Sequence, residues 1–459
     1  MDTRGGACGG EARCSNRTPG RKQPLTRVGP GPGASYICWT AGYHREPGWA
    51  RLVVAPADPA GNVDRTERAF VAHIARRVGA FPGYPLAHIP RRKRELLAAG
   101  VDVIDVGAGD PVEAPPALAL GALAEALRDP AMSKYGFQLG LPAFREAVVR
   151  YHQRRFGTTF DPMTEVLPLI GSKEGLAHFA LATTNPGDVV IVPEPGYQCY
   201  IGGAIASGAQ ARIAPLRADA DFLVELGELP KDVLRRTSLV YLNYPNNPTA
   251  AIAPREYLER TVAVCREYGI ALAYDNPYVE ITYDGYRAPS IFEIEGAREV
   301  AVEFHSCSKS FTMTGWRLGW AAGNRELITA LTTVKSYHDT GPFLAVQQAG
   351  AAVLDRAEQV VEEAVARFRA RRDVAVRSLG AAGFEVPVPR ATLYLWVPLP
   401  EGMKSAEFQR LALEEEGVVV MAGSGFGASG EGFFRVALTV GEERLAEAAE
   451  RMGRVLARA

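Results

Sequence analysis

The residues best suited to chemistry are two cations in the segment SCSKSFTMTGWRLGW, residues 306 to 320. Lys309 stands between the hydroxyl side chains of Ser306, Ser308 and Ser310, and Arg317 follows among glycines and tryptophans. A partly buried cation needs an anion or a covalent partner. An imine with a phosphorylated aldehyde would satisfy both residues, because the amine becomes covalently bound and the guanidinium neutralises the phosphate.

Other polar residues stand where short β-rich runs end. GSKEG, residues 171 to 175, ends one run and opens a helix, whose free N–H groups and positive dipole end favour a phosphate. AYDNPY places Asp275 at a strand end, where a carboxylate either caps a helix or keeps a ring nitrogen protonated. NYPNNPT, residues 243 to 249, is by itself a turn. Together these strand ends indicate one ligand that is both anionic and aromatic.

The elements that must position these residues alternate in type along the chain. From about residue 165, short β-rich runs such as DVVIVPE and SLVYLNY alternate with helical patterns. This order predicts a largely parallel sheet covered on both faces, with a ligand beyond the carboxyl ends of its strands. After about residue 345, a long helical pattern leads to mixed strands and helices, which predicts a second, smaller α+β unit.

Composition narrows the class of function. The chain has 459 residues, of which 47% are hydrophobic and 22% charged, and a formal net charge of -1. These values are typical of a globular protein and argue against a nucleic-acid or acidic-membrane partner. The six cysteines form no CxxC pair and no Cys/His cluster with metal-ligand spacing, so we expect reduced thiols and no metal. We find no membrane-spanning run and no signal peptide, and therefore expect a cytoplasmic protein.

Residues 1–66 differ from the rest of the chain. They are rich in Gly, Pro and Arg and show neither helical nor strand periodicity. Such a segment buries too little apolar surface to offset its conformational entropy, so we expect disorder. Three interpretations are open, namely a start site placed too far upstream, a tail with its own function, or an Arg-rich transit peptide.

Several motifs together carry a resemblance to a known family. GSKEG, PGYQCY, NYPNNPT, AYDNPY and SCSKSFTMTGWRLGW, in this order, resemble the pyridoxal-phosphate-dependent class I/II aminotransferases, from about Tyr84 to the C-terminus. FHSCSK with MTGWR, and GFG followed by GEGFFRVAL, are most similar to the branch that contains LL-diaminopimelate aminotransferases and relatives acting on aspartate or alanine. The resemblance implies the aspartate-aminotransferase-like α/β fold, with a three-layer large domain and a smaller α+β domain.

The resemblance also implies a division of the chain. Residues 67–108 would form an N-terminal arm and part of the small domain, residues 109–345 the large cofactor-binding domain, and residues 346–459 the small C-terminal domain. The disordered extension would end at residue 66.

Roles follow from the resemblance for the residues around the cofactor ring. Lys309 would be the Schiff-base lysine and the base that moves the substrate's α-proton. Asp275 would pair with the pyridinium nitrogen, while Tyr278 and Asn247 would hydrogen-bond the ring's phenolic oxygen. Tyr197 would stack on the ring, although by itself a buried tyrosine in the core is the commoner interpretation.

The remaining implied roles concern the phosphate and the substrate. The phosphate would be held by Ser172, Lys173, Ser306, Ser308 and Arg317. Tyr135, in KYGFQLG, matches a tyrosine that reaches the phosphate of the neighbouring subunit, which implies a homodimer with shared active sites. Arg435 would bind the substrate's α-carboxylate, unless it forms a surface ion pair. Gly109 would allow close approach of the substrate, and Tyr84 would lie near it on the N-terminal arm.

The sequence therefore predicts an enzyme that moves an amino group between an amino acid and a 2-oxo acid by a ping-pong mechanism. One alternative is a lyase, such as a C–S lyase, with the same cofactor and fold. A regulator with a ligand domain of this kind would need a DNA-reading helical module, and residues 1–66 show no such pattern. The identity of the substrates stays open because the segment 335–348 shows no clear site for a distal carboxylate, although Lys335 could provide one.

Overall fold

The computed structural model describes residues 74–83, 89–137 and 139–458. The expected disorder of residues 1–66 and the predicted substrate contact of Tyr84 lie outside these residues. The strands of the described part are β1 (Ile104–Asp105), β2 (Val166–Leu169), β3 (Val189–Glu194), β4 (Gln210–Pro215), β5 (Thr237–Asn243), β6 (Ala271–Asp275), β7 (Ala301–Ser306), β8 (Gly319–Gly323), β9 (Tyr394–Pro398), β10 (Val418–Val419), β11 (Met421–Ala422) and β12 (Phe433–Ala437).

The helices surround these strands. They are α1 (Ile89–Ala98), α2 (Ala117–Ala126), α3 (Pro142–Phe156), α4 (Ser172–Thr183), α5 (Gln198–Ser207), α6 (Lys231–Arg236), α7 (Arg255–Tyr268), α8 (Ala297–Val300), α9 (Cys307–Ser310), α10 (Arg325–Ser336), α11 (Leu344–Leu354), α12 (Ala357–Ala381), α13 (Ser405–Glu416) and α14 (Glu442–Leu456). Among the described residues, no helix has both the length and the apolar composition needed to cross a membrane.

A seven-stranded sheet forms the centre of the larger part. Its strand order is β2-β8-β7-β6-β5-β3-β4, and β8 alone runs antiparallel to its neighbours. Successive residues of β5 alternate between two apolar clusters, with Leu239 and Tyr241 in one and Val240 and Leu242 in the other. Because strand side chains alternate in direction, the sheet is buried on both faces. This confirms the predicted three-layer α/β fold with a mostly parallel sheet.

The helices on the sheet follow from their apolar periodicity. In α7 the buried residues include Leu258, Val262 and Cys265, which recur at helical spacing on one face. The helix ends at Gly269, which adopts φ +69°, a conformation that glycine reaches without strain. The chain then enters β6 and continues toward the site.

The C-terminal part has smaller sheets. Strands β11, β12 and β9 form an antiparallel sheet in that order, and helices α12, α13 and α14 pack on an apolar cluster that includes Phe408, Phe434 and Leu445. Strand β1 pairs in parallel with β10, with Ile104 opposite Val418. The residues before Gly109 therefore join a sheet with the C-terminal part. The predicted domain boundaries stay a prediction.

Candidate active site

A cavity of about 310 Å³ lies beyond the carboxyl ends of β2, β5, β6 and β7. The predicted site residues that line it are Gly109, Ser172, Lys173, Tyr197, Asn247, Asp275, Tyr278, Ser306, Ser308, Lys309, Arg317 and Arg435. The topology explains this gathering, because parallel strands present their carboxyl ends at one edge of the sheet. The structure thus brings these twelve side chains or backbones together around one space.

Lys309 reaches the cavity from the short helix α9, directly after β7. The hydroxyl of Ser306 caps this helix by accepting a hydrogen bond from the backbone N–H of Ser308 at 3.2 Å. The Lys309 amine donates to the carbonyl of Gly109. A Cβ at Gly109 would lie 2.1 Å from the hydroxyl of Tyr394, so only glycine fits here. This close approach delivers a backbone carbonyl to the amine.

Asp275 ends β6 as a buried carboxylate, with 3% of its surface exposed. Its Oδ2 accepts a hydrogen bond from the hydroxyl of Tyr200 at 2.6 Å, and its Oδ1 has no partner among the described residues. Burial raises the pKa of this carboxyl to about 7, against the opposing effect of the Tyr200 hydrogen bond. A buried carboxylate with one free oxygen is suited to a ligand that carries a cationic N–H group.

Another part of the cavity lining offers donors for an anion. Arg317 donates from Nη1 to the carbonyl of Thr314 at 2.8 Å and lies 3.4 Å from the hydroxyl of Ser308. A Cβ at Gly171 would lie 2.3 Å from Arg317 Nη2, and Gly171 itself has φ +74°. Glycine therefore lets the guanidinium approach the start of α4, where free N–H groups favour an anion. The described residues place no carboxylate within ion-pair distance of Arg317.

Lys173 and Tyr197 also line the cavity. The Lys173 amine lies 5.8 Å from the centroid of the Tyr197 ring. Tyr197 directly precedes α5. Its ring meets that of Tyr200 edge-on, with centroids 5.8 Å apart. Both predicted residues thus lie where the sequence motifs place them, next to the start of a helix.

Arg435 lies on β12 and approaches from the C-terminal part, with 5% of its surface exposed. It donates to Asn247 Oδ1 and to the carbonyl of Gly107, both at 2.7 Å. Its guanidinium lies 4.1 Å from the ring centroid of Tyr394 and 4.8 Å from that of Phe426. No described carboxylate pairs with it, so the alternative of a surface ion pair is wrong. A buried arginine without a carboxylate partner can bind an anionic ligand.

Tyr278 and Tyr394 face each other beside this arginine, with their hydroxyl oxygens 3.4 Å apart. Burial, with the neighbouring Tyr394, raises the pKa of Tyr278 well above its usual value. Burial opposes ionisation of Tyr394 as well, but the cations of Arg435 and Lys309 bring the pKa of Tyr394 below its usual value. The two hydroxyls therefore titrate as a pair, and the nearby cations favour the loss of a single proton from it.

Some side chains that shape the site were not predicted from the sequence, and four of them matter most here. They are Asn243, Tyr200, Tyr394 and Phe426. Asn243 ends β5 directly opposite Asp275, donates from Nδ2 to the Asp275 carbonyl at 2.7 Å and accepts from the N–H of Asn247 at the same distance. Its position at a strand end was the signal that could have revealed it.

Two other residues of interest lie outside the cavity. Tyr135 does not line it and has 74% of its surface exposed. Lys335, considered for a distal carboxylate, is fully buried, and its amine lies 3.1 Å from Glu174 and 2.6 Å from Asp339. Because protein carboxylates already neutralise this amine, Lys335 is not the cation for a substrate.

Comparisons with known proteins agree with this geometry. The family described as aminotransferase class I and II matches residues 101–452. The chain is 44% identical over 382 residues to an LL-diaminopimelate aminotransferase of Moorella thermoacetica, which covers 83% of this chain and 98% of that protein. Solved structures include a probable N-succinyldiaminopimelate aminotransferase from Thermus thermophilus, with a TM-score of 0.75, 39% identity, and coverage of 80% of this chain and 98% of that one. A single mutant of Thermus thermophilus aspartate aminotransferase has a TM-score of 0.78 and 29% identity, covering 84% of this chain and all 100% of that one.

Proposed function

Because this chain belongs to the class I and II aminotransferases, we propose that it uses pyridoxal 5′-phosphate to move an amino group from LL-diaminopimelate to a 2-oxo acid. The main support for this cofactor is that one cavity is lined by Lys309, by Asp275 with its unpartnered oxygen, and by the anion-binding groups around Arg317. The substrate is inferred from two LL-diaminopimelate aminotransferases that are 44% and 45% identical to this chain, which covers 98% of each. A cytoplasmic location belongs to the same proposal.

The residues present fit this cofactor. The buried Oδ1 of Asp275 has no partner and would accept the ring N–H. The phosphate would be held by Ser172, Lys173, Ser306, Ser308 and Arg317. The ring would lie against Tyr197, with Asn247 and Tyr278 at its phenolic oxygen. When bound, pyridoxal phosphate supplies an electron-withdrawing ring that stabilises negative charge at the substrate's α-carbon.

The protein's own groups then perform three tasks. The Nζ of Lys309 would hold the cofactor and would move the proton from the substrate's α-carbon. The guanidinium of Arg435 binds the α-carboxylate and so fixes the orientation of the substrate. Asp275 would keep the ring nitrogen protonated through its negative charge.

A half-reaction screen tests the proposal. Purified protein loaded with the cofactor would be mixed with LL-diaminopimelate, aspartate, alanine and other amino acids, and the absorbance of the bound cofactor would be followed. We expect stoichiometric conversion by LL-diaminopimelate and recovery on adding a 2-oxo acid, with ping-pong kinetics. Release of ammonia and pyruvate without an acceptor would instead indicate a lyase. No spectral change with any amino acid would contradict the proposal.

Replacing Arg435 by glutamine tests the carboxylate contact. We expect kcat/KM for the amino acid to fall by about 10²-fold or more, because a buried charge pair with the substrate is lost. Steady-state kinetics with varied amino acid would measure this. Arg410→Gln is the matched control, since Arg410 pairs with Glu407 on the exposed side of α13. Equal kcat/KM values for the two variants would contradict the role of Arg435.

The proposed homodimer is supported by an exposed aromatic surface. Tyr135 and Phe137 have 74% and 62% of their surfaces exposed, and their ring centroids lie 6.0 Å apart. A Cβ at Gly136 would lie 2.5 Å from Leu344, so this segment packs tightly on the start of α11. Exposed apolar groups on such a firm support favour an interface with a second copy. Tyr135 would then reach the partner's phosphate.

Hybrid dimers test this sharing. Lys309→Ala and Tyr135→Ala proteins, unfolded and refolded together, should regain intact sites in about a quarter of all positions, because half of the dimers are hybrids with one complete site. Activity measured before and after mixing gives the result. The control mixture combines Lys309→Ala with Arg435→Ala, two defects in a cavity of one chain, and should regain nothing. No gain in the first mixture would contradict sharing of Tyr135.

A further inference from the structure

The carboxylate of Asp275 is held by a residue that does not line the cavity. Tyr200 lies on α5, one turn after Tyr197, and its hydroxyl donates to Asp275 Oδ2 at 2.6 Å. Both side chains are buried, with 1% and 3% of their surfaces exposed. The other oxygen, Oδ1, has no partner among the described residues, and Asp275 itself lines the cavity. The two oxygens therefore have different surroundings.

The ring of Tyr200 is itself fixed in place. It stacks on the ring of Tyr241 with centroids 4.8 Å apart and planes 19° from parallel. Tyr241 is held in turn, because its hydroxyl donates to the carbonyl of Leu176 at 2.9 Å. Tyr200 thus reaches Asp275 from a packed position between α5 and β5, where its hydroxyl has little freedom to point elsewhere.

We infer that Tyr200 is a positioning residue for the proposed cofactor: it occupies Oδ2 of Asp275 and thereby presents Oδ1 to the ring N–H. The inference rests on the proposed function. The same helix would then provide two contacts to the ring, since Tyr197 at its start lies against the face and Tyr200 orients the carboxylate at the nitrogen. The hydrogen bond also favours the charged form of Asp275 against the effect of burial.

The buried thiol and tyrosine hydroxyls that face Asp275 keep their protons over the neutral pH range. Burial raises the pKa of Cys199 on α5 to about 12. It raises the pKa values of Tyr241 on β5 and of Tyr278, after β6, well above their usual values. The amines that line the same cavity belong to Lys173 and Lys309.

The substitution Tyr200→Phe removes the hydroxyl and keeps the stacked ring. We expect the dissociation constant for pyridoxal phosphate, titrated into full-length protein freed of cofactor, to rise about tenfold or more, because a hydrogen bond to a charged group is lost. Tyr283→Phe is the matched control, since it also loses one buried hydroxyl, which donates to the carbonyl of Thr392 and not to Asp275. Its dissociation constant should stay within about threefold of that of the unsubstituted protein.

A second readout needs no cofactor. Without the hydroxyl, the pKa of Asp275 should rise above about 7, so Tyr200→Phe should destabilise the cofactor-free protein more at about pH 8 than at about pH 5. Denaturant unfolding at both values measures this, and the difference should vanish when Asp275→Asn is also present. Equal dissociation constants for Tyr200→Phe and Tyr283→Phe, or a destabilisation that does not change with pH, would overturn the inference. Failure of the unsubstituted protein to bind the cofactor would contradict the proposed function instead, and the unfolding comparison would still test Tyr200.

Discussion

The variant Lys309→Ala is expected to lower kcat by at least about 10³-fold, the largest loss that any single substitution should cause here. The reason is that one amine is proposed for two tasks, covalent attachment and movement of the α-proton. Its position supports this, because α9 presents it to the cavity and the carbonyl of Gly109 receives it. Lys173, another lysine that lines the cavity, is proposed to bind the phosphate instead.

The measurement combines kinetics with chemical trapping. Borohydride reduction of the loaded protein, followed by peptide mass analysis, should find the cofactor attached to Lys309 and to no other lysine. Cofactor should still bind the alanine variant noncovalently through the phosphate contacts. Lys231→Ala, on the exposed start of α6, is the control and should keep full activity. Full turnover by Lys309→Ala, or attachment at another lysine, would rule out the proposed chemistry.

The predictability of this site from sequence follows the topology of the sheet. Asp275 and Lys309 could be predicted because Asp275 ends β6 and Lys309 lies in the short helix after β7, and both strands are recognisable in the sequence as β-rich runs. The carboxyl ends of parallel strands lie at the same edge of a sheet, so the two residues were expected near each other. Tyr200 and Tyr394 could not, because nothing local distinguishes them from core tyrosines. Their contacts join segments that are far apart in the chain, 75 residues for the bond from Tyr200 to Asp275 and 116 for the pair of Tyr394 and Tyr278.

Strand β8 and Lys335 also show what the sequence alone could not predict. Strand β8, in GWAAG, escaped prediction because its glycines and alanines lack the bulky β-branched side chains that mark a strand. At Gly319 the small residue is required, since a Cβ would lie 2.5 Å from the carbonyl of His305. Lys335 was a plausible substrate cation by type, but only the fold shows that Glu174 and Asp339 already neutralise it. Residue type alone could not distinguish a free charge from a paired one.

The second large effect is expected for Asp275→Asn, which should lower kcat/KM by about 10³-fold, because removing a buried charged partner typically costs several kcal/mol. Asparagine keeps the shape and the hydrogen bond with Tyr200 but cannot hold the ring nitrogen in its cationic form. The loss should appear in the proton-transfer step. Single-turnover kinetics with an amino acid deuterated at the α-carbon would measure the rate of this step in the variant and in the unsubstituted protein.

Although Asp275→Asn should lower activity, it should raise the stability of the cofactor-free protein relative to the unsubstituted protein as pH rises. Burial raises the pKa of Asp275 from 3.8 to about 7, so the folded state binds a proton that the unfolded state releases, and the stability contributed by this proton is lost as pH rises from about 4 to about 7. Asp275→Asn has no such proton, and its free energy of unfolding relative to the unsubstituted protein should therefore increase over this range. Denaturant titrations at several pH values would measure the change. A relative stability that stays constant with pH would show that Asp275 is not desolvated, and activity retained to within tenfold would show that its charge does not support the ring.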